Sequence, residues 1–169
     1  ELAKEHAVLA AEERLRGDFV QAVLVGAPAD DATLLQRGRE LGYDLRKPHV
    51  ALLCTVGEGD EGMVARTSGA LSAALNSLGI AAPMMRRIDG ALCYVPSVDR
   101  GRRAHEVAEQ LRERVSGDVP GVLLAIGREA PTVTLWPRSL REAEQALKIG
   151  RQLLGSGRVL DFGDLGVYR

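Results

Sequence analysis

The chain has 169 residues and a formal net charge of −1, and 46% of its residues are hydrophobic although only 4% are aromatic. This composition excludes a disordered chain and predicts one domain whose core is built from Leu, Val and Ala. The near-neutral charge argues against a segment that grips nucleic acid by itself.

The first 41 residues read as two helices. Apolar residues recur at heptad-like spacing over residues 1–25, and we assign Val8, Leu15, Phe19 and Ala22 to one face. Asp30 and Asp31 are suited to cap a second helix near 31–41. The first helix could pair with its copy in a homodimer, or its apolar stripe could pack on the domain's own sheet. A stripe this short does not separate the two.

A strand, a helix and a hairpin follow. The continuous apolar run at 49–56 predicts a central strand, and apolar spacing predicts a helix over 63–79. Strands at 83–88 and 91–96 flank Asp89-Gly90, a pair typical of a type I′ turn, in which both central residues have positive φ.

The remaining elements are two helices that alternate with two strands. Asp99 is expected to cap a helix, and residues 122–126 read as a strand. Ser139 with Glu142 three residues later reads as a capping box, and a last short strand lies at 158–162. The order β-α-β-β-α-β-α-β predicts an α+β fold, an antiparallel-containing sheet with helices on one face.

The segment 57–62 (GEGDEG) matches the phosphate-binding pattern G-x-G-x-x-G between a strand and a helix. Glu58, Asp60 and Glu61 would place three carboxylates where a pyrophosphate would sit, and like charges repel. We therefore interpret this segment as an acidic loop. Cys54 and Cys93 lie in apolar runs and are expected to be buried, reduced thiols of a cytoplasmic protein. No apolar run approaches the roughly 20 residues of a membrane span.

The strand and helix order resembles the GGDEF domain, the palm-like (ferredoxin-like) fold of diguanylate cyclases. In that family the hairpin carries Arg-x-Gly-Gly-Asp/Glu-Glu-Phe. Arg87 matches the arginine and Gly90 the second glycine, whereas Asp89 replaces the first glycine. Residues 91–93 (ALC) replace the acidic pair and the phenylalanine, and the first strand carries no carboxylate. The resemblance implies a domain that is not an enzyme, since two-metal phosphoryl transfer needs those oxygen ligands.

Several segments are similar to PucR/CdaR-type bacterial transcriptional regulators: 41–45 (LGYDL), 127–128 (GR), 139–147 (SLREAEQAL), 157–159 (GRV) and 162–169 (FGDLGVYR). The resemblance implies N-terminal signalling or linker helices at 1–41 and a GGDEF-like regulatory domain at 42–169. It also implies a DNA-binding helix-turn-helix beyond this chain, and the chain's non-Met start and its charge fit that expectation.

Three functions follow. The leading one is a non-catalytic regulatory and dimerisation domain that relays a signal from an upstream sensor to the DNA-binding domain. The second is an effector-binding module that retains a nucleotide or small-metabolite site and needs no cofactor; its candidate residues are Arg87, Asp89, Gly90, Glu58 and Asp60. The third, an active nucleotide cyclase, is disfavoured by Ala91 and Leu92.

Overall fold

A computed structural model describes residues 2–26, 30–57, 59–153 and 157–168. Within these ranges lie five α-helices: α1 (Leu2–Leu24), α2 (Asp31–Glu40), α3 (Glu61–Ser77), α4 (Ala104–Asp118) and α5 (Trp136–Leu153). The same ranges contain seven strands: β1 (His49–Thr55), β2 (Met84–Arg87), β3 (Gly90–Pro96), β4 (Val98–Asp99), β5 (Arg102–Arg103), β6 (Leu123–Ile126) and β7 (Leu160–Asp161). Short 3-10 helices lie at Val133–Leu135 and Phe162–Tyr168.

One five-stranded sheet, in the order β2-β3-β1-β6-β7, carries the fold. β1 lies at its centre and pairs antiparallel with both β3 and β6, and β7 joins parallel to β6. All seven residues of β1 are buried, as the continuous apolar run predicted. The α+β class and the antiparallel-containing sheet are confirmed.

Helices cover both faces of this sheet, so the prediction of helices on one face is wrong. Leu52 and Cys54 face α3 and α4, whereas Ala51 and Leu53 face the other way, toward α1 and α5. Successive side chains of a strand point to opposite faces, so the uninterrupted apolar residues 50–54 of β1 need apolar cover on both sides. The last part of α1 supplies some of that cover.

The helix α2 begins at the cap that the sequence predicts, and α4 does not. Asp30 accepts a hydrogen bond from the Thr33 amide at 2.8 Å and thereby caps α2. α4 begins after Arg103 with no side-chain cap, and Asp99 is not its cap. Asp99 lies instead in β4, where its carboxylate pairs with Arg102. None of the helices in the described ranges is both long and apolar enough to cross a membrane.

The hairpin of β2 and β3 is present, but its turn lies one residue earlier than predicted. Arg87 pairs with Gly90, so the turn residues are Ile88 and Asp89. Neither has a positive φ, so the turn is not type I′. Positive φ at both central positions occurs instead in the turn between β4 and β5, at Arg100 (50°) and Gly101 (81°).

Candidate functional site

The β2–β3 hairpin that carries the sequence candidates is held tightly against β1. Gly90 opposes Thr55, and a Cβ atom built on Gly90 would lie 2.0 Å from the carbonyl oxygen of Cys54. No side chain fits that space. Gly90 therefore lets two strands approach each other.

The main chain of Asp89 completes this junction. Its carbonyl oxygen accepts hydrogen bonds from the Val56 amide at 3.1 Å and from the Thr55 hydroxyl at 2.9 Å. Thr55 Oγ1 in turn accepts from the Gly57 amide at 3.1 Å. The hairpin turn and the end of β1 thus form one hydrogen-bonded unit, with the half-buried Asp89 side chain at its edge.

A cavity of about 270 Å³ opens between this hairpin end and α5. Its charged lining residues are Arg87, Asp89, Glu144, Lys148 and Arg151. Arg87 Nη2 lies 3.5 Å from Glu144 Oε2 in a partly exposed ion pair. Three cations against two carboxylates make the cavity suited to an anion rather than to a metal ion.

The structure brings together only part of the predicted candidate set. Arg87, Asp89 and Gly90 share the hairpin, with Arg87 and Asp89 lining the cavity. Asp60 is the N-cap of α3: its Oδ1 accepts from the Met63 amide at 2.8 Å. Asp60 does not line the cavity. Glu58 lies outside the described residues.

Sequence reasoning missed the three charged α5 residues of this cavity. Glu144, Lys148 and Arg151 follow one another at intervals of four and three residues, which places them on one helix face. That spacing was a readable signal. The spacing alone did not show which end of the sheet this helix face would meet, because that depends on how α5 packs against β1 and β6.

The two cysteines are buried in the core beside this junction and are free thiols. Burial raises the pKa of the Cys54 thiol to about 12 and raises that of Cys93 further. Both thiols are therefore protonated near neutral pH and unsuited to act as nucleophiles.

The predicted capping box of α5 is wrong, and its two residues form a buried polar network instead. α5 begins at Trp136, so Ser139 lies in the first turn. The Ser139 hydroxyl donates to the Arg128 carbonyl at 2.7 Å and accepts from the Ala51 amide at 2.9 Å. The buried Glu142 carboxylate accepts from the Arg128 amide at 3.2 Å and from its Nε at 2.8 Å.

This network fixes α5 to the centre of the sheet. A Cβ atom on Gly127 would lie 2.0 Å from the Ser139 carbonyl oxygen, so the loop after β6 touches the helix backbone. The Gly127-Arg128 pair and the Ser139–Glu142 segment thus contact each other directly. Residues 127–128 and part of 139–147, two of the segments that carry the sequence resemblance, therefore meet in one structural junction.

The helix α1 divides into an exposed part and an anchored part. Val8 is 56% exposed and Leu15 is 61% exposed. Phe19, placed by sequence on the same face, is 1% exposed and packs inside the domain's own core, with its ring 6.4 Å from that of Tyr43. Ala22 is half-buried. The first part of α1 thus presents apolar side chains that the domain itself does not cover.

Comparison with known proteins identifies the class. The family model described as GGDEF-like domain matches residues 25–149, and the chain belongs to this family. Among solved structures, the chain is similar to a crystal structure of a regulator of polyketide synthase expression from Bifidobacterium adolescentis, with a TM-score of 0.59 and 19% identity. That match covers 90% of this chain and 60% of the regulator, so this chain spans less than two thirds of the regulator's length. No curated protein sequence gives a significant match.

Proposed function

We propose that this chain is the non-catalytic regulatory and dimerisation domain of a bacterial PucR/CdaR-type transcriptional regulator. In this proposal it works in the cytoplasm, forms a homodimer, and relays a signal from an upstream sensor to a DNA-binding helix-turn-helix. Membership of the GGDEF-like family and the fold shared with a regulator of gene expression support a regulatory role.

The observation that carries the proposal is the construction of α1. Residues 2–10 and 12–16 are all exposed, whereas Phe19, Val20 and Val23 are buried. A continuous helix transmits displacement along its axis, so a helix anchored at one end couples what happens at the other end to the domain. The exposed part extends over about 20 Å at 1.5 Å per residue.

The exposed apolar residues of α1 are arranged for pairing. At about 100° per residue, Val8, Leu15 and Ala22 follow one line along the helix. Of the buried residues, Val20 and Val23 point about 80–140° away from this line and Phe19 points about 40° away from it. One face is therefore anchored in the domain while an adjacent face remains available to a second copy. We take the pair to be parallel, because both sensors then lie on the same side of the dimer.

The hairpin supports a role without catalysis. Its glycine is used for strand packing, its arginine pairs with Glu144, and the end of β1 presents the buried Cys54 and Thr55. Phosphoryl transfer by two metal ions requires carboxylates at such positions. In this proposal the hairpin is a rigid end of the sheet.

Sedimentation equilibrium of the purified chain tests this function. Leu15→Asp should convert a dimer to a monomer, because a buried unpaired carboxylate in the seam is strongly destabilising. The matched control is Leu9→Asp, a leucine of similar exposure (58%) about 120° around the helix, which should remain dimeric. A wild-type monomer at every concentration, or a folded Leu15→Asp dimer, would overturn the proposal.

A second candidate function rests on the cationic cavity. Arg87, Lys148 and Arg151 line a space of about 270 Å³, which is just below the usual size range of small-molecule sites. It would hold the phosphate part of a nucleotide or another small anionic effector. Calorimetric titration with GTP and Mg²⁺ should then give saturable heat that Arg151→Ala abolishes. If the wild-type chain gives no heat, GTP is not an effector of this domain, and this second function is ruled out for GTP.

A further inference from the structure

A histidine and two aspartates converge where the start of α4 meets the end of β7. His105 Nδ1 lies 2.7 Å from Asp161 Oδ2, and one ligand atom from each of His105, Asp161 and Asp164 lies within 4.8 Å of the other two. The three residues come from an α-helix, a strand and the following 3-10 helix. His105 and Asp161 are half-buried and Asp164 is exposed, so the cluster is open to solvent on one side.

The groups around the cluster orient it. Asp161 Oδ1 accepts a hydrogen bond from the Gly163 amide at 2.9 Å, which leaves Oδ2 directed at His105. On the other side of the imidazole, Glu109 Oε1 lies 3.9 Å from His105 Nε2. Glu109 is itself held by the Val159 amide at 3.2 Å and by Arg112 at 3.1 Å.

Without an ion, His105 Nδ1 donates its proton to the Asp161 carboxylate at 2.7 Å. A cation bound at Nδ1 would take the place of that proton, and the neutral imidazole would then carry its proton on Nε2, on the side of Glu109 Oε1 at 3.9 Å. A carboxylate behind a metal-binding imidazole is the usual second partner of such a histidine, because it fixes the ring and raises its basicity. The cluster is thus more than a set of acidic residues: it includes a nitrogen ligand and a group that orients it.

We propose that His105 Nδ1 and the carboxylates of Asp161 and Asp164 bind a divalent transition-metal ion of the Zn²⁺ type. One nitrogen and two oxygens with an open side suit Zn²⁺, whose fourth position a water molecule would take. Ligand atoms around such an ion lie about 3.3 Å apart. The 2.7 Å between His105 Nδ1 and Asp161 Oδ2 would have to widen to that value, and separations of up to 4.8 Å within the cluster would have to close to it.

A metal ion at this site would act on β7 and the 3-10 helix that follows it, which is a role separate from the proposed relay function. β7 pairs with β6 through only two residue pairs, Ala125–Leu160 and Ile126–Asp161. The bond from His105 to Asp161 ties this short strand to α4. A bound ion would replace this bond by a bridge that also includes Asp164, and would stabilise the 3-10 segment on the domain by mass action. The metal would therefore set how firmly residues 160–165 are held.

Calorimetric titration of the metal-free chain with Zn²⁺ tests the site, and histidine NMR locates it. We expect one ion per chain, with ring resonances of His105 shifting while those of His6 and His49 stay in place. Asp164→Asn should weaken binding at least about tenfold without breaking the His105–Asp161 bond. His105→Gln should abolish binding, and the matched control His6→Gln, an exposed histidine of α1, should bind as the wild type does.

Two outcomes would overturn the inference. One is the absence of saturable heat from the folded wild-type chain at about 1 mM Zn²⁺, the weak limit of specific binding. The other is binding that survives unchanged in both Asp164→Asn and His105→Gln. Circular dichroism of each variant separates loss of the site from loss of the fold. Neither outcome bears on dimerisation through α1, which the Leu15→Asp and Leu9→Asp pair measures separately.

Discussion

The Tyr94 ring stacks on the Trp136 ring with centroids 3.9 Å apart and an angle of 11° between their planes, and the Tyr94 hydroxyl donates to the Trp136 carbonyl oxygen at 2.9 Å. Tyr94 is in β3 and Trp136 is the first residue of α5. Both side chains are essentially fully buried. This pair therefore fixes the start of α5 over the sheet, on the face that also receives α1.

Tyr94→Phe isolates the hydrogen bond of this pair. The ring stack remains, whereas the buried Trp136 carbonyl loses one donor, so we expect a loss of about 1 kcal/mol in the free energy of unfolding. Tyr43→Phe is the matched control, because the buried Tyr43 hydroxyl makes no hydrogen bond of normal geometry with the described residues. Urea unfolding of both variants measures the difference. Equal effects would show that the Tyr94 hydroxyl contributes nothing specific.

Gly90→Ala tests whether the hairpin glycine serves strand packing. The new methyl group would meet the Cys54 carbonyl oxygen, which is main chain and unable to rotate away. We expect a loss of at least about 2 kcal/mol in unfolding free energy. Gly69→Ala in α3 is the control: apart from its chain neighbours and the backbone of its own helix, no atom lies within 4 Å of the added Cβ. Alanine in a helix should stabilise by about 0.5–1 kcal/mol. A neutral Gly90→Ala would show that the glycine is not needed for packing.

The buried His49 predicts a specific dependence of stability on pH. Desolvation lowers the pKa of His49 below 6.5, its usual value, although its hydrogen bond to the Lys47 carbonyl at 2.7 Å opposes that shift. The unfolded chain therefore binds a proton at His49 more readily than the folded one. Its contribution to stability is fully present above pH 6.5 and is lost as the pH falls toward the lowered folded pKa.

His49→Asn removes this titration and keeps a donor for the Lys47 carbonyl. The unfolding free energy of the wild type should fall more steeply than that of the variant below about pH 6.5, by at most about 1.4 kcal/mol per pH unit for one proton. His6→Asn, in the exposed part of α1, should follow the wild-type profile. Parallel profiles for wild type and His49→Asn would contradict the assignment of this effect to His49.

Local signals in the sequence account for most of the elements, and the misses have a common cause. The apolar run of β1, the cap of α2 at Asp30 and the hairpin were readable because each depends on neighbouring residues. The roles of Asp99, Ser139 and Glu142 were misassigned because their partners are set by tertiary structure. Ser139, for example, bonds to Ala51, which lies 88 residues earlier.

The candidate sites also divide into residues that local sequence identifies and residues that only tertiary packing brings together. Arg87 and Asp89 were identified because they belong to one short hairpin segment of the sequence. Lys148 and Arg151 reach the same cavity only through the packing of α5. His105 and Asp161 lie 56 residues apart, so no spacing rule connects them. The heptad pattern of α1 likewise does not reveal that Phe19 turns inward, because Tyr43, which packs against it, belongs to a later segment.

Disulfide trapping of α1 tests the central claim most directly. The described cysteines Cys54 and Cys93 are buried, so an added cysteine on α1 is the accessible thiol. In a parallel dimer, residue 15 of each chain faces its copy within the roughly 7 Å between Cα atoms that a disulfide spans. Leu15→Cys should therefore form a covalent dimer on mild oxidation, and Glu13→Cys, about 160° around the helix, should stay monomeric on a non-reducing gel. No covalent dimer from Leu15→Cys, or equal yields from both variants, would contradict dimerisation through α1.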